Sequence, residues 1–338
     1  MKAEKREKYI DYLNVVSALA VVFLHANGVF WYYSTERYWT TADVIESVFY
    51  FGVPVFFMII GATSIDYQKK YDTKTFFKKR FFKIVIPYIF WSFVGMIFVT
   101  RKLDLQYFIV HLLTFDSIAI YWFFRVLFSA YLLIPILSCI PDEKKMQVFK
   151  YIFACGFVLN SFFPFVFSFI KEMPALPLRM VISTECGGYI CLGYLISHGD
   201  MPKKKTRYLI YLAGILGLIM HIVGTYFYSR NDGAISYVWK GYENVPCILY
   251  SAAIFLLFKS LEQRVHLPKL DHLISILRKY TFSLYLMQIY ILWLIVKVTN
   301  ISIYSIYYRL GSPIIVLLIT IGITKIMRKI PIIKYFVP

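Results

Sequence analysis

Residues 13–30 read LNVVSALAVVFLHANGVF, eighteen positions without a lysine, arginine, aspartate or glutamate. As a helix this block is about 27 Å long, close to the roughly 30 Å of hydrocarbon in a bilayer. Comparable apolar blocks follow at 84–100, 120–140, 208–228 and 281–296. Hydrophobic residues make up 59% of the 338-residue chain, aromatics 20% and charges 17%, and they come in blocks rather than on one face of an amphipathic pattern. A soluble core could not bury that much apolar surface, and the blocks are too long and too uniformly apolar for the alternating strands of a membrane barrel. The fold class is therefore all-α, a polytopic integral membrane protein.

Read between charge clusters, the blocks predict about ten transmembrane helices: 9–32, 44–67, 83–100, 118–140, 148–170, 177–197, 206–229, 243–260, 280–298 and 304–326. They form a single membrane-embedded domain over 1–338. Of the 37 lysines and arginines, 27 fall at the N-terminus, in the loops 68–83, 141–150, 198–207 and 259–279, and at the C-terminus. Cytoplasmic loops carry such an excess, which places both termini in the cytoplasm. The first apolar run is too long for a cleavable signal, so the first helix is expected to stay. Residues 105–115 are short enough to be re-entrant or interfacial. Leu270, Leu273, Ile274 and Leu277 have the spacing of a helix lying on the cytoplasmic interface.

The net charge of +18 flanks helices instead of forming one face of a folded domain. Topology and anionic lipid headgroups account for it, and no nucleic-acid partner is expected. The five cysteines lie in or beside apolar spans without metal-ligand spacing, and no H-E-x-x-H, G-x-S-x-G, Walker or G-x-G-x-x-G motif occurs. No metal is expected.

Function is sought among ionisable residues inside lipid, which are costly there and so are candidates by default. His25 lies about 24 Å along the first span from the cytoplasmic face. Arg125 and Glu185 each lie about 10 Å below the outer face. Similar depth suggests one polar chamber in the outer half, with His25 as its neutral-pH base. The bland readings are a packing histidine and a structural Arg125–Glu185 ion pair. Lys78, Lys79, Arg80 and Lys83 open the third span from inside; they read as a topological anchor or as a holder of phosphates.

Tyr9–His25, YIDYLNVVSALAVVFLH, resembles the first helix of the membrane-bound acyltransferase 3 family, bacterial O-acyltransferases of cell-surface glycans. Stretches similar to that family recur in its order: FGVPVFFMIIGATS at 51–64, FFKKRFFKIVIPYIFWS at 76–92, YWFFRVLFSAYLLIPIL at 121–137 and YTFSLYLMQIY at 280–290. The resemblance implies transfer of an acyl group, usually acetyl, from cytoplasmic acyl-CoA to a hydroxyl of an extracytoplasmic or lipid-linked cell-envelope glycan. By position His25 matches the family's essential histidine and Asp11 its early aspartate. Arg80 and Lys83, with Lys79 beside them, match its basic element and are read as the site for CoA phosphates. The family's arginine after the early aspartate is Asn14 here, and the histidine of its closing element is Gln288.

The catalytic candidates are thus His25 as general base, Asp11, Arg125 for the developing oxyanion, and Glu185. The candidates for substrate contact are Trp122, Tyr131, Gln288 and Asn14. The expected partners are membrane lipids, acyl-CoA as co-substrate and the glycan acceptor, with homodimerisation left open; the expected location is the cytoplasmic membrane of a bacterium. A transporter or flippase for a glycan precursor or small polar solute is the alternative, although no internal repeat supports it. A sensory or scaffolding subunit is a third reading.

Overall fold

The computed structural model describes residues 7–170, 178–184, 186–262, 264 and 267–338. Among them no strand occurs. In chain order the helices are α1 (Lys8–Ala26), α2 (Arg37–Lys69), α3 (Thr73–Thr100), α4 (Leu105–Thr114), α5 (Ala119–Ser138) and α6 (Asp142–Phe167). They continue with α7 (Gly187–His198), then α8 (Lys204–Asp232), α9 (Val245–Glu262), α10 (Pro268–Thr299) and α11 (Ile306–Met327). Within the described residues nine of these, all but α4 and α7, are long and apolar enough to cross a membrane.

The packing is arranged for lipid. On α8 the exposed stripe is Tyr208, Leu212, Ile215, Ile219, Val223 and Phe227, while the buried stripe is Gly214, Gly217, His221, Thr225 and Ser229. Large apolar side chains outside and small or polar ones inside invert the pattern of a water-soluble helix, because lipid covers the former and close backbone approach needs the latter. The short helix within α10, Pro268–Leu277, turns through Arg278–Tyr280 into Thr281–Thr299. At that turn the start of α1 meets the end of α11: Arg278 lies 3.3 Å from Asp11, and Arg328 donates to the Lys279 carbonyl at 2.6 Å. We call this end of the bundle, which also carries the 68–83 loop, the basic end.

The expected span 177–197 differs from its reading. Residue 177 and Glu185 lie outside the described residues, and beyond Met180 the chain forms a 3-10 turn at Val181–Ser183 and then α7, of only 12 residues. Its length is about 18 Å, too short to cross hydrocarbon alone. It survives because it is wrapped in protein. Asn160 on α6 both donates to and accepts from the Met180 backbone at 3.0 Å, satisfying irregular chain at membrane depth. At the other end of α7, the Lys259 ammonium donates to the carbonyls of Ile196, Ser197 and Gly199 at 2.7–2.8 Å, a cation closing the helix C-terminus. Lys259→Met removes all three bonds and leaves the carbonyls unpaired. It is expected to cost about 1–3 kcal/mol, read as a lowered unfolding temperature in detergent; an unchanged midpoint would show that water caps the helix equally well.

Candidate active site

A cavity of about 1000 Å³ runs along the bundle. At the basic end its walls include Asn14, Ser64, Arg80, Tyr131 and Thr281; at the opposite end they include Trp31, Tyr32, Glu46 and Tyr50, with His25 just below them.

His25 occupies the last turn of α1, which ends at Ala26 and passes through Asn27 into the 3-10 turn Gly28–Trp31. Its imidazole lines the cavity, and its Nδ1 is buried without a hydrogen bond. Gln288, fully buried on α10, is its hydrogen-bonding neighbour. That contact falls short of standard geometry, because Gln288 Oε1 is also without a partner while its Nε2 donates to the Tyr285 carbonyl at 3.1 Å. The histidine therefore faces open space with a carboxamide at its back.

The family-matched residues at the basic end divide. Arg80 ends the helical segment Thr73–Arg80 and is followed at once by a π turn, Phe81–Val85, which shifts the register of the faces beyond it. Its guanidinium hydrogen-bonds Tyr71 Oη at 3.1 Å and Ser64 Oγ at 3.4 Å, and lies over the rings of Phe76 and Tyr131 at 4.1 and 5.3 Å. Arg80 is thus held in the cavity wall. Lys79 and Lys83 are exposed and are not part of that wall, Lys79 covering the Tyr71 ring at 3.7 Å. Asn14 lines the cavity and accepts a 2.6 Å bond from Thr281 Oγ1. Asp11, paired with Arg278, sits one turn nearer the basic end, about 21 Å along α1 from His25. Trp122 lines the cavity, stacked on Tyr242 with centroids 5.8 Å apart.

Arg125 does not join His25. Trp122, Phe123, Leu127 and Tyr131 turn one side of α5 to the cavity. At 100° per residue Arg125 falls on the other side of the helix, where it is exposed. Its depth agrees with that of His25 but its direction does not. Glu185 lies outside the described residues.

The structure brings to the upper cavity charges that the sequence reading passed over. Glu46 on α2 and Lys240, from the connection between α8 and α9, form an ion pair at 3.3 Å with side chains only 2% and 1% exposed. Lys240 Nζ also sits 3.7 Å from the Tyr50 ring centroid. Burial pulls the Lys240 ammonium below the ordinary lysine range, and Glu46 draws it back up. Asn27 Nδ2 donates to the other Glu46 oxygen at 3.4 Å, and Arg309 Nη1 donates to Asn27 Oδ1 at 3.3 Å. Arg309, 1% exposed, further bonds Thr41 Oγ1 at 2.7 Å. Asp43, one turn before Glu46, is buried as well. A signal for this cluster was present in part: Asp43 and Glu46 stand three apart at the edge of an apolar run, and so share a helix face. Nothing in the sequence marks Lys240, which reads as an ordinary loop charge, while Arg309, near the start of the span 304–326, reads as a flanking charge.

Comparison with curated proteins and with solved structures finds no match. The profile of the acyltransferase 3 family, described as an acyltransferase domain, matches residues 7–326, nearly the whole chain and every residue of the cavity wall. The chain therefore belongs to this family of membrane acyltransferases.

Proposed function

We propose that the protein carries an acyl group across the membrane, from a cytoplasmic acyl-CoA, most simply acetyl-CoA, to a hydroxyl of a cell-envelope glycan or lipid-linked sugar on the other side. The observation that carries this reading is that one cavity reaches from Arg80 at the basic end to His25 and the aromatic mouth at the opposite end. The excess of lysine and arginine makes the basic end cytoplasmic. Arg80 suits the phosphates of the donor, since a guanidinium forms paired bonds to phosphate oxygens.

In the transfer, the acceptor hydroxyl oxygen attacks the thioester carbonyl, a C–O bond forms and the C–S bond breaks. His25 takes the hydroxyl proton as attack proceeds and returns it to the departing thiolate, giving free CoA. In this reading the contact with Gln288 tightens during transfer, its Oε1 accepting from Nδ1 and so keeping Nε2 as the base.

Membrane vesicles test the sidedness. Inverted vesicles from expressing cells, given labelled acetyl-CoA outside, are expected to acquire base-labile acetyl esters on their enclosed glycans, while right-side-out vesicles are not. Label in right-side-out vesicles alone would reverse the proposed direction; label in neither would remove acetyl-CoA as the donor.

A further inference from the structure

Four buried charges gather at the upper cavity: Asp43, Glu46, Lys240 and Arg309. Two are acids and two are bases, so the group can be neutral while each member stays ionised. Such groups are expensive at membrane depth, and apolar side chains of the same volume hold helices together as well or better. A merely structural cluster would close on itself. This one does not, because Glu46 lines the cavity while the other three do not.

We propose that Glu46 is the acceptor-binding carboxylate, and that Lys240 holds it ionised and aimed into the cavity. This rests on the acyl-transfer reading above. Each Glu46 oxygen has one long contact, Lys240 Nζ at 3.3 Å on Oε1 and Asn27 Nδ2 at 3.4 Å on Oε2. A carboxylate has about four acceptor sites, so two or more remain for donors arriving through the cavity. Phe49, next along α2 from Glu46's face, stacks on Phe23 at 4.2 Å, which sets Glu46 within about one helical turn, roughly 5 Å, of His25 in depth. Both line the same cavity, so one guest can present a hydroxyl to Glu46 and another to His25.

The surrounding walls fit the same guest. Tyr50 and Tyr242 stack at 4.4 Å, and Trp31 and Trp122 add further aromatic surface to the cavity. Flat aromatic faces beside an anionic acceptor suit a neutral polyhydroxylated ring, whose C–H face lies on the aromatics while a rim hydroxyl donates to the carboxylate. Charge orders the two substrates as well. Phosphate is drawn to Arg80 and repelled by Glu46, so donor and acceptor enter by separate ends.

The test titrates base-deacylated envelope glycan from the expressing cells as acceptor, with labelled acetyl-CoA as donor and purified protein in detergent. Glu46→Gln/Lys240→Met removes both charges together, leaving neither buried alone. It is expected to raise the glycan KM by about 10- to 100-fold, the loss of one charge-assisted hydrogen bond, with the acetyl-CoA KM within about threefold of wild type. Glu46→Asp, which keeps the charge, is expected to recover part of the glycan affinity. If wild type acylates the glycan and the double variant does so with unaltered glycan KM, the assignment of Glu46 is wrong and the acyl-transfer reading stands. A parallel rise in both KM values with a lowered unfolding temperature would make the pair structural and also overturn it. Wild type that transfers no label brings down the parent reading, and this one with it.

Discussion

His25→Ala is expected to lower acyl transfer by about 10²- to 10⁴-fold while leaving the protein folded in the membrane at near wild-type level. The two halves of that expectation have one cause. The imidazole faces a cavity instead of packed neighbours, and Nδ1 makes no hydrogen bond. Its removal opens no new void in the core, and the neighbouring Gln288 Oε1 is without a hydrogen bond even with the imidazole present, so stability changes little. A packing histidine would behave the other way, losing stability first and activity only in proportion. His25→Asn separates the cases further, because it keeps polarity and hydrogen bonding but has no basic nitrogen. Asn is expected to be as inactive as Ala. Base-labile acyl groups on envelope glycans, measured by mass spectrometry with membrane levels matched, provide the readout. Acylation by either variant within about tenfold of wild type would take the proton-transfer role from His25.

How far the sequence could be read depends on the kind of information each feature needs. Apolar blocks announce helices because crossing hydrocarbon is a matter of length and composition, both one-dimensional. The first helix and the position of His25 near its far end were legible for that reason. Arg125 shows where the same reasoning stops. Its depth was readable from the number of residues into the span, but a charge is useful only if it also points inward, and 100° per residue sends it to the side away from Phe123, Leu127 and Tyr131. Lys240 and Arg309 show the converse. Lys240 stands outside the apolar blocks and Arg309 only just inside the last of them, so a rule based on spans reads both as flanking charges, whereas the fold turns both inward against Glu46 and Asn27. Pairs separated by 194 and 282 positions leave no local trace.

The sixth expected span carries the other large effect, which falls on Gly61 and Gly193. These glycines face one another's helices: a Cβ on Gly61 would lie 2.8 Å from Ile190 C and overlap its carbonyl oxygen, and a Cβ on Gly193 would lie 2.5 Å from Met58 C. Both obstacles are backbone, so no rotamer change can relieve them. Met58 and Gly61 on α2 thus fit against Ile190 and Gly193 on α7 with small residues at the crossing, as membrane helices do when their backbones come into contact. For α7 this contact matters more than it would for a full span, since a 12-residue helix cannot rely on lipid to hold it across the membrane. Gly193→Leu is expected to abolish the folded protein. Gly61→Ala, the smallest addition available, must push the helices apart and is expected to cost about 1–3 kcal/mol or more, read as a lowered unfolding temperature. Gly311→Ala and Gly322→Ala are the controls. A Cβ at either meets nothing within 4 Å, and helix propensity favours alanine there by about 1 kcal/mol, so both are expected to be neutral or stabilising. Function should follow the same geometry in any Gly61→Ala protein that folds. Ile59, Ile60, Thr63 and Ser64 are part of the cavity wall, and Ser64 Oγ accepts from Arg80. Moving this part of α2 therefore displaces the donor mouth, and the acyl-CoA KM is expected to rise before the glycan KM does. A Gly61→Ala protein as stable as the two control variants would mean that α2 and α7 do not meet at these glycines.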